Sequence, residues 1–369
     1  MKIAYLIDYL YSVNGGTERQ LLRLIEGMVS RGHEVTLYVL RDTAFTQELD
    51  DFPCSIVCLN VDSLASLRSW KKLFEFRRDI EKKKYEVLHG FFNDVALLVP
   101  PLFLGSKMAV FTSRRDMGIW YTTYKLMYLR LFSSSSVKLI CNCKAVANKA
   151  ERLEYKNSKK INVILNGIDS PPSFFEQRSE FLEELTKTEC IKLVVVANVR
   201  PVKRIEDLVD ALQLITQKGV LAKCFVIGHI SDIEYAKKLN ERIERHRLTG
   251  LVKFVGPISE PRIYLSQFDV GLITSESEGL SNTLMEYLTA GLPAIASNVG
   301  GNPELVNHGD NGFLYEKGNV RELANMLEEI CKNELLRERM SGNSISISEK
   351  FSITRMLDEH EGVYASNSQ

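Results

Sequence analysis

The sequence has no long hydrophobic run, no net charge and no paired-cysteine motif. Its longest apolar stretch, "VALLVPPLFLG" at 95–105, is broken by two prolines and falls far short of the ~20 residues that cross a bilayer. The seven cysteines (54, 58, 141, 143, 190, 224, 331) are odd in number and form no Cys-x-x-Cys pair. A disulfide framework is therefore disfavoured, zinc spacing is missing, and reduced thiols in a cytoplasmic protein are expected. No Gly-x-Gly-x-x-Gly follows a strand, which argues against a dehydrogenase. The amino terminus, "MKIAYLIDYLYSVNGG", has too short an apolar run for a signal peptide and reads as a first strand.

What is present fits an ordinary globular chain of two domains: 369 residues, 45% hydrophobic and 25% charged. The zero net charge hides an asymmetry. Residues 1–170 hold 25 of the 47 Lys and Arg and 18 of the 47 Asp and Glu, so that half carries +7 and the remainder −7. A basic first half could face anionic lipid or an acidic acceptor; no nucleic-acid partner is expected.

Short apolar runs alternate with amphipathic stretches, the pattern of βαβ units and parallel sheets. Strands are predicted at 2–8, 34–40, 55–60, 86–90, 108–112 and 137–142, with helices at 17–32, 64–84, 120–132 and 143–154 between them. "INVILNGIDSPPSF" (161–174) is a strand running into a Gly/Pro/Ser-rich stretch, the preferred boundary. A second set follows: strands at 192–199, 222–228, 252–256, 270–275 and 293–297, helices at 204–218, 232–247, 260–267 and 283–290, and a largely helical end from 320. "SSSS" (133–136) is read as a loop. Open parallel sheets bind ligands at the carboxyl ends of their strands.

One stretch carries chemistry. In "SESEGLSNTLMEYLTAGLPAIAS" (275–297) an apolar strand feeds a polar loop and then a helix, with Glu278 in the loop and Glu286 eight positions on. Thr283 is predicted to cap the helix with Glu286 as its capping-box partner, and Gly291 before Pro293 to stop it. A helix start presents unpaired N–H groups and partial positive charge, so it can receive an anion, and the small residues of "GLSNT" admit a ligand to the backbone. Two carboxylates beside such a start can bracket a ligand with an anionic middle and hydroxyl-rich ends, as in a nucleotide diphosphate sugar. A capping box and a surface loop would also account for them without a ligand.

The continuation "AGLPAIASNVGGNPELV" (290–306) completes a stretch that resembles the Glu-x7-Glu motif of retaining glycosyltransferases of the family-four group. Further segments are similar to that family's: the glycine-rich first loop in "NGGTERQLLRLIEGMVSRGHEV" (14–35), "NVILNGID" (162–169), the diphosphate loop in "NVRPVKRIEDLVDAL" (198–212), and "FSITRMLDEHEGVY" (351–364) as the closing helix. The resemblance implies an α/β fold of two facing Rossmann-like domains (GT-B), 1–170 on the acceptor side and 171–350 binding the nucleotide sugar, with 351–369 a helix crossing back to the first domain.

It also implies roles. Glu278 would hold hydroxyls of the transferred sugar, Glu286 the ribose hydroxyls, and the backbone around Gly279, Leu280, Ser281, Asn282 and Thr283 the distal phosphate. Lys203 would neutralise the diphosphate. Gly15 and Gly16 would form the first-domain loop near the phosphates or acceptor. Preorganised dipoles and a cation suit a leaving diphosphate whose negative charge grows as the glycosidic bond breaks.

This chain departs from the pattern in three places. A common family arginine is replaced by Asn198; Arg200 either takes over the phosphate contact or is a solvated loop residue. The first-domain histidine after a strand is missing from "AVFTSRRDMGIWYTTYK" (109–125), where Arg114 and Arg115 could bind an acidic acceptor or pair with surface carboxylates. No Asp-x-Asp occurs, which agrees with a metal-independent enzyme. His89, in "YEVLHG", matches a family step and is either a site residue or structural. The eight Lys/Arg of "RSWKKLFEFRRDIEKKKYE" (68–86), with Trp70, Leu73 and Phe74 on an apolar side, fit a solvated helix face or peripheral contact with anionic lipid. "WYTTYKLMYLRLF" (120–132) is either core or an acceptor-facing aromatic surface.

The reading is a retaining, metal-independent, hexosyltransferase-type enzyme of cell-surface polysaccharide biosynthesis. It would need no cofactor beyond a nucleotide-sugar co-substrate, with a UDP-sugar the first expectation, and its acceptor would be a saccharide or a lipid-linked one. Its place would be the cytoplasm, peripheral on the inner face of the cell membrane. The rival readings are a non-catalytic nucleotide-sugar-binding protein or partner subunit, and an epimerase or phosphorylase on the same scaffold.

Overall fold

The computed structural model describes residues 1–12, 15–48, 52–132, 137–154, 158–169 and 180–367. The loop read at 133–136 and most of the Pro/Ser-rich boundary segment lie outside them. The chain forms two compact units, one of Met1–Gly167 with Ser352–Gln369 and one of Ile168–Phe351.

In the first unit the order is β1 (Lys2–Ile7), α1 (Gly16–Ser30), β2 (Glu34–Val39), α2 (Ala44–Gln47), β3 (Ser55–Cys58), α3 (Leu67–Lys82), β4 (Val87–Phe91), α4 (Asn93–Leu102), β5 (Ala109–Arg114), α5 (Thr123–Leu131), β6 (Lys138–Cys141), α6 (Lys144–Leu153) and β7 (Ile161–Val163). The strands form one parallel sheet in the order β3-β2-β1-β4-β5-β6-β7. β1 and β4 are buried along nearly their whole length, as strands covered by helices on both faces must be. The run at 95–105 lies largely within α4, which carries Pro100 and Pro101 inside it. Helix there was not legible, since six of its ten residues are buried and an all-round apolar helix has no periodicity to read. On α3 the buried stripe is Leu73, Phe76 and Ile80, while Phe74 is 54% exposed, so the apolar side read as Trp70, Leu73 and Phe74 is divided between interior and surface.

The second unit runs α7 (Glu180–Lys187), β8 (Ile191–Val196), α8 (Ile205–Gln217), β9 (Ala222–Ile227), α9 (Ile233–Arg245), β10 (Val252–Gly256), β11 (Val270–Ile273), α10 (Asn282–Thr289), β12 (Ala294–Ser297), β13 (Gly312–Tyr315), α11 (Val320–Lys332) and α12 (Glu334–Ser348). Its sheet, β10-β9-β8-β11-β12-β13, is also parallel. The segment read as a helix at 260–267 is a 3₁₀ turn, Pro261–Gln267. In each sheet the strand order reverses beside the first strand, between β1 and β4 and between β8 and β11, the doubly wound order.

The last helix, α13 (Ile353–Ala365), belongs to the first unit and lies on α1. Gly27 leaves the space that Leu357 fills: a Cβ there would stand 2.4 Å from a Leu357 methyl. Arg31 pairs with Asp358 (2.7 Å) and with Glu361, which also takes the His33 ring at 2.5 Å. The Gln20 amide brackets the Gly167 backbone, giving to its carbonyl at 2.9 Å and accepting from its N–H at 3.1 Å.

Two buried histidines meet at α13, His89 from β4 and His360 from the helix itself. His89 is fully buried, its ring nitrogens bonded to Tyr364 Oη (2.7 Å) and Ser113 Oγ (2.8 Å). His360 is 3% exposed and its Nδ1 pairs with the Met356 carbonyl at 2.8 Å. Burial holds His89 well below the ordinary value and pulls His360 from 6.5 to about 4. Between pH 6.5 and about 4 the unfolded chain binds a proton at position 360 that the folded chain refuses, so stability falls as pH falls through that window. The expected slope from this residue approaches about 1.4 kcal/mol per pH unit. Urea unfolding at pH 7 and pH 5 checks it, and His360→Gln should flatten the difference.

Candidate functional site

Glu278 and Glu286 lie at the carboxyl edge of the second sheet, where β11 ends and α10 begins. β11 is buried throughout, and Thr274 and Ser275 continue it into the interior. Two bonds tie this edge to the loop after β8: the Thr274 hydroxyl donates to the Lys203 carbonyl (2.7 Å), and the Glu276 N–H to the Val202 carbonyl (2.8 Å). Lys203 and Glu278 therefore meet. The Lys203 ammonium is 2.7 Å from Glu278 Oε1, which also accepts from the Ser275 hydroxyl at 2.6 Å. At 21% and 14% side-chain exposure, the pair is screened less than a surface ion pair.

The same loop contains a second charge group that the sequence reading missed. Arg204, left-handed at φ 47° and ψ 45°, ends the 3₁₀ turn Pro201–Lys203 and starts α8. Its guanidinium takes both oxygens of the buried Asp207 (2.8 and 2.9 Å) and reaches Glu276 at 3.2 Å. Lys317 and Arg204 hold the Glu276 carboxyl below the usual range. The loop is thus braced at Arg204 while Lys203 points to Glu278. Asn198 and Arg200 are exposed on the same loop. The Asn198 amide oxygen accepts from the His229 N–H at 3.3 Å.

The start of α10 differs from the expectation. Ser281 is the N-cap, its hydroxyl accepting from the Leu284 N–H at 3.3 Å. Thr283 lies inside the helix and gives its hydroxyl to the Val196 carbonyl of β8 (3.3 Å). Glu286 consequently stands in the second turn, too far along for the capping-box position, and is buried at 4% exposure. Nearby, Arg262 forks onto Glu260 (2.8 and 3.2 Å), and that bond and the charges of Glu286 and Asp169 raise its pKa. Tyr287, fully buried, accepts from the Val196 N–H at 2.9 Å and donates to the Val194 carbonyl at 3.3 Å. Gly271 makes room for its ring: a Cβ there would lie 2.4 Å from Tyr287 Cδ2.

Leu280 and Ser281 are 5% exposed, so their side chains lie in the interior. The loop Glu278–Gly279 rests on the glycine pair after β12. Gly301 N–H donates to the Gly279 carbonyl at 2.8 Å, and a Cβ on Gly300, at φ +54°, would fall 1.7 Å from the Glu278 carbonyl oxygen. The Gly-Gly dipeptide was the sequence signal for this close approach.

The remaining predicted residues belong to the first unit. Gly15 precedes α1 and Gly16 opens it. The structure puts His89 and Arg114 in the interior rather than on an acceptor-facing surface. Arg114 is 4% exposed, with Nε and Nη2 on the wholly buried Glu154 (2.9 and 2.6 Å). Arg115 is half-buried and bonds to the Asn166 side chain; burial lowers it to about 10. Among the described residues no three His, Cys, Asp or Glu gather as metal ligands, and no helix is long and apolar enough to cross a membrane.

Known proteins match over the same ground. The family profile described as Glycosyl transferases group 1 matches residues 177–346, and that described as Glycosyltransferase Family 4 matches 14–170. The chain is 29% identical over 211 residues to the N-acetyl-alpha-D-glucosaminyl L-malate synthase of Bacillus anthracis, covering 57% of this chain and 54% of that enzyme. It is 23% identical over 386 residues to the UDP-Gal:alpha-D-GlcNAc-diphosphoundecaprenol alpha-1,3-galactosyltransferase of Escherichia coli, covering 99% of this chain and 96% of that one. The crystal structure of Anabaena Alr3699/HepE in complex with UDP superposes with a TM-score of 0.87 at 19% identity, over 99% of this chain and 100% of that one. With the two profiles together covering 14–170 and 177–346 and the doubly wound sheets present in both units, the chain belongs to the group 1 glycosyltransferases of GT-B fold.

Proposed function

We propose that the protein transfers a hexose from a nucleotide diphosphate sugar, UDP-linked in the first instance, to a saccharide or lipid-linked saccharide acceptor in cell-surface polysaccharide assembly, with retention of anomeric configuration and without a metal. The observation that carries this reading is the Lys203–Glu278 ion pair beside the start of α10. The donor and acceptor classes are supported by the galactosyltransferase relative, whose name gives a UDP-sugar donor and a diphospho-lipid acceptor.

In this mechanism the donor's diphosphate exchanges partners with Glu278. Lys203 moves to the phosphate, and the first-turn N–H groups of α10 receive the distal phosphate with the helix's partial positive charge. Glu278, relieved of its cation, accepts hydroxyls of the sugar, and Glu286 accepts those of the ribose. Arg200, exposed beside Lys203, adds positive field. As the glycosidic bond lengthens, charge grows on the leaving phosphate where these fixed groups already stand, so little reorganisation is needed. A phosphate oxygen of the leaving group takes the acceptor's proton on the same face, and no carboxylate base is required. The basic α3, with Leu67 and Phe74 exposed, gives the first unit a surface for peripheral contact with anionic lipid at the cytoplasmic face.

Lys203→Met should lower kcat by about 10²–10³-fold while leaving the melting temperature nearly unchanged, as steady-state kinetics and calorimetry can check. Stabilisation by UDP in a thermal-shift panel of nucleotides should be lost in Glu286→Ala; equal stabilisation of variant and wild type would remove Glu286 from the donor site. A chelator should leave the transfer rate unchanged, and the product's anomeric proton coupling should match the donor's. Gly300→Ala, which must displace the Glu278 carbonyl, should reduce activity at least about tenfold, because a shift of about 1 Å in a positioning loop is costly in rate.

A further inference from the structure

The first unit has a constellation that the donor chemistry does not use. At the carboxyl edge of its sheet, three neighbouring strands, β2, β1 and β4, end side by side. From the end of β1 come Asp8, Tyr9 and Tyr11; from β2, Arg41; from β4, Phe92 and Asp94. The Tyr9 ring stacks on Phe92 with centroids 5.6 Å apart and an interplanar angle of 24°, and it meets Tyr11 at 4.4 Å. Tyr11 is 64% exposed. Large aromatic rings gain by burial and normally find it; here the outer ring is presented to solvent.

The backbone that holds this stack is strained. Phe92 lies at φ 69° and ψ −179°, a region that only glycine occupies without cost. A bulky aromatic there turns the chain sharply from β4 into α4 and sets its ring on Tyr9. Strain of this kind persists where surrounding structure enforces it. Asp8 does so, its carboxylate accepting from the Asp94 and Val95 N–H groups at 3.0 and 2.8 Å and thereby capping α4 across the turn. Asp94 in turn pairs with Arg41 at 2.5 Å. Burial raises Asp8 to about 6 against the pull of those N–H groups.

We propose that Tyr9, Tyr11 and Phe92 form a stacking platform for a pyranose ring of the acceptor saccharide, with the Arg41–Asp94 pair at its edge to take the ring hydroxyls. A hexopyranose has one face of C–H bonds and a rim of hydroxyls. It needs an aromatic surface beside charged hydrogen-bonding groups, and this edge offers both. The site lies at the strand ends where open α/β sheets bind their ligands. This inference rests on the reading of the protein as a glycosyltransferase that uses a saccharide acceptor, and names the residues that receive it.

The test is saturation-transfer-difference NMR on the full chain with methyl glycosides of glucose, galactose and N-acetylglucosamine, and with uridine as a separate arm. Wild type should saturate the C–H protons of one face of at least one glycoside. Tyr11→Ala, at an exposed position, should keep the wild-type melting temperature and weaken that glycoside about fivefold or more. Phe92→Gly should weaken it as well while relieving the backbone, so its melting temperature should not fall in proportion to the ring lost. Silence of every glycoside on wild type, or unchanged transfer in Tyr11→Ala, overturns the platform. Loss of uridine rather than glycoside contacts in Tyr11→Ala also overturns it, making the stack a base site. UDP binding measured on the same samples with Glu286→Ala reports the donor reading separately, so failure of either is seen without the other.

Discussion

The hydroxyl of Tyr287 fixes where α10 begins. β11 pairs with β8 through only two residues, Val270 with Leu193 and Gly271 with Val194. Past that point the Tyr287 phenol continues the ladder, bonding Val196 N–H and the Val194 carbonyl. A buried N–H at a strand end must be satisfied, and the ring can reach it only because residue 271 is glycine. This one contact sets α10 against β8, and with it the depth of Glu286, the direction of the α10 start and the reach of the Glu278 loop.

The two cations of the loop beside that frame are held unequally. Arg204 is held by the buried Asp207 through two hydrogen bonds and extends to Glu276, which Lys317 also takes. A bidentate, mostly buried pair of this kind is costly to break. Lys203 has a single ion-pair contact, to Glu278, in a partly exposed setting, and a compact ammonium on a flexible stem changes partners more readily than a guanidinium fork. Neighbouring residues 203 and 204 thus differ in their hold, Arg204 bracing the loop and Lys203 resting on Glu278 alone.

Most of the parallel architecture was legible because buried parallel strands read as apolar runs and their crossovers as amphipathic helices. The readings failed where that contrast vanishes. α4 is apolar on nearly every side and contains prolines, so neither period nor propensity marked it. β13, four residues long, and the short helix α7 gave too little pattern. The cap of α10 was placed two residues late because serine, asparagine and threonine stand in a row at 281–283 and each caps well. Only the position of β8 shows that Thr283 has another acceptor.

By itself the sequence determined the two-sheet α/β class, the family, and the pairing of Glu278 and Glu286 on either side of a helix start, since these depend on local spacing and residue type. The tertiary structure alone decided which charges are spent and which are available. His89, Arg114 and Lys203 are alike as polar residues at strand ends or loops, yet the first two are enclosed by Tyr364, Ser113 and Glu154, and the third rests on a partly exposed carboxylate. Enclosure depends on residues as many as 275 positions away, and local sequence carries no record of what packs against it across that distance.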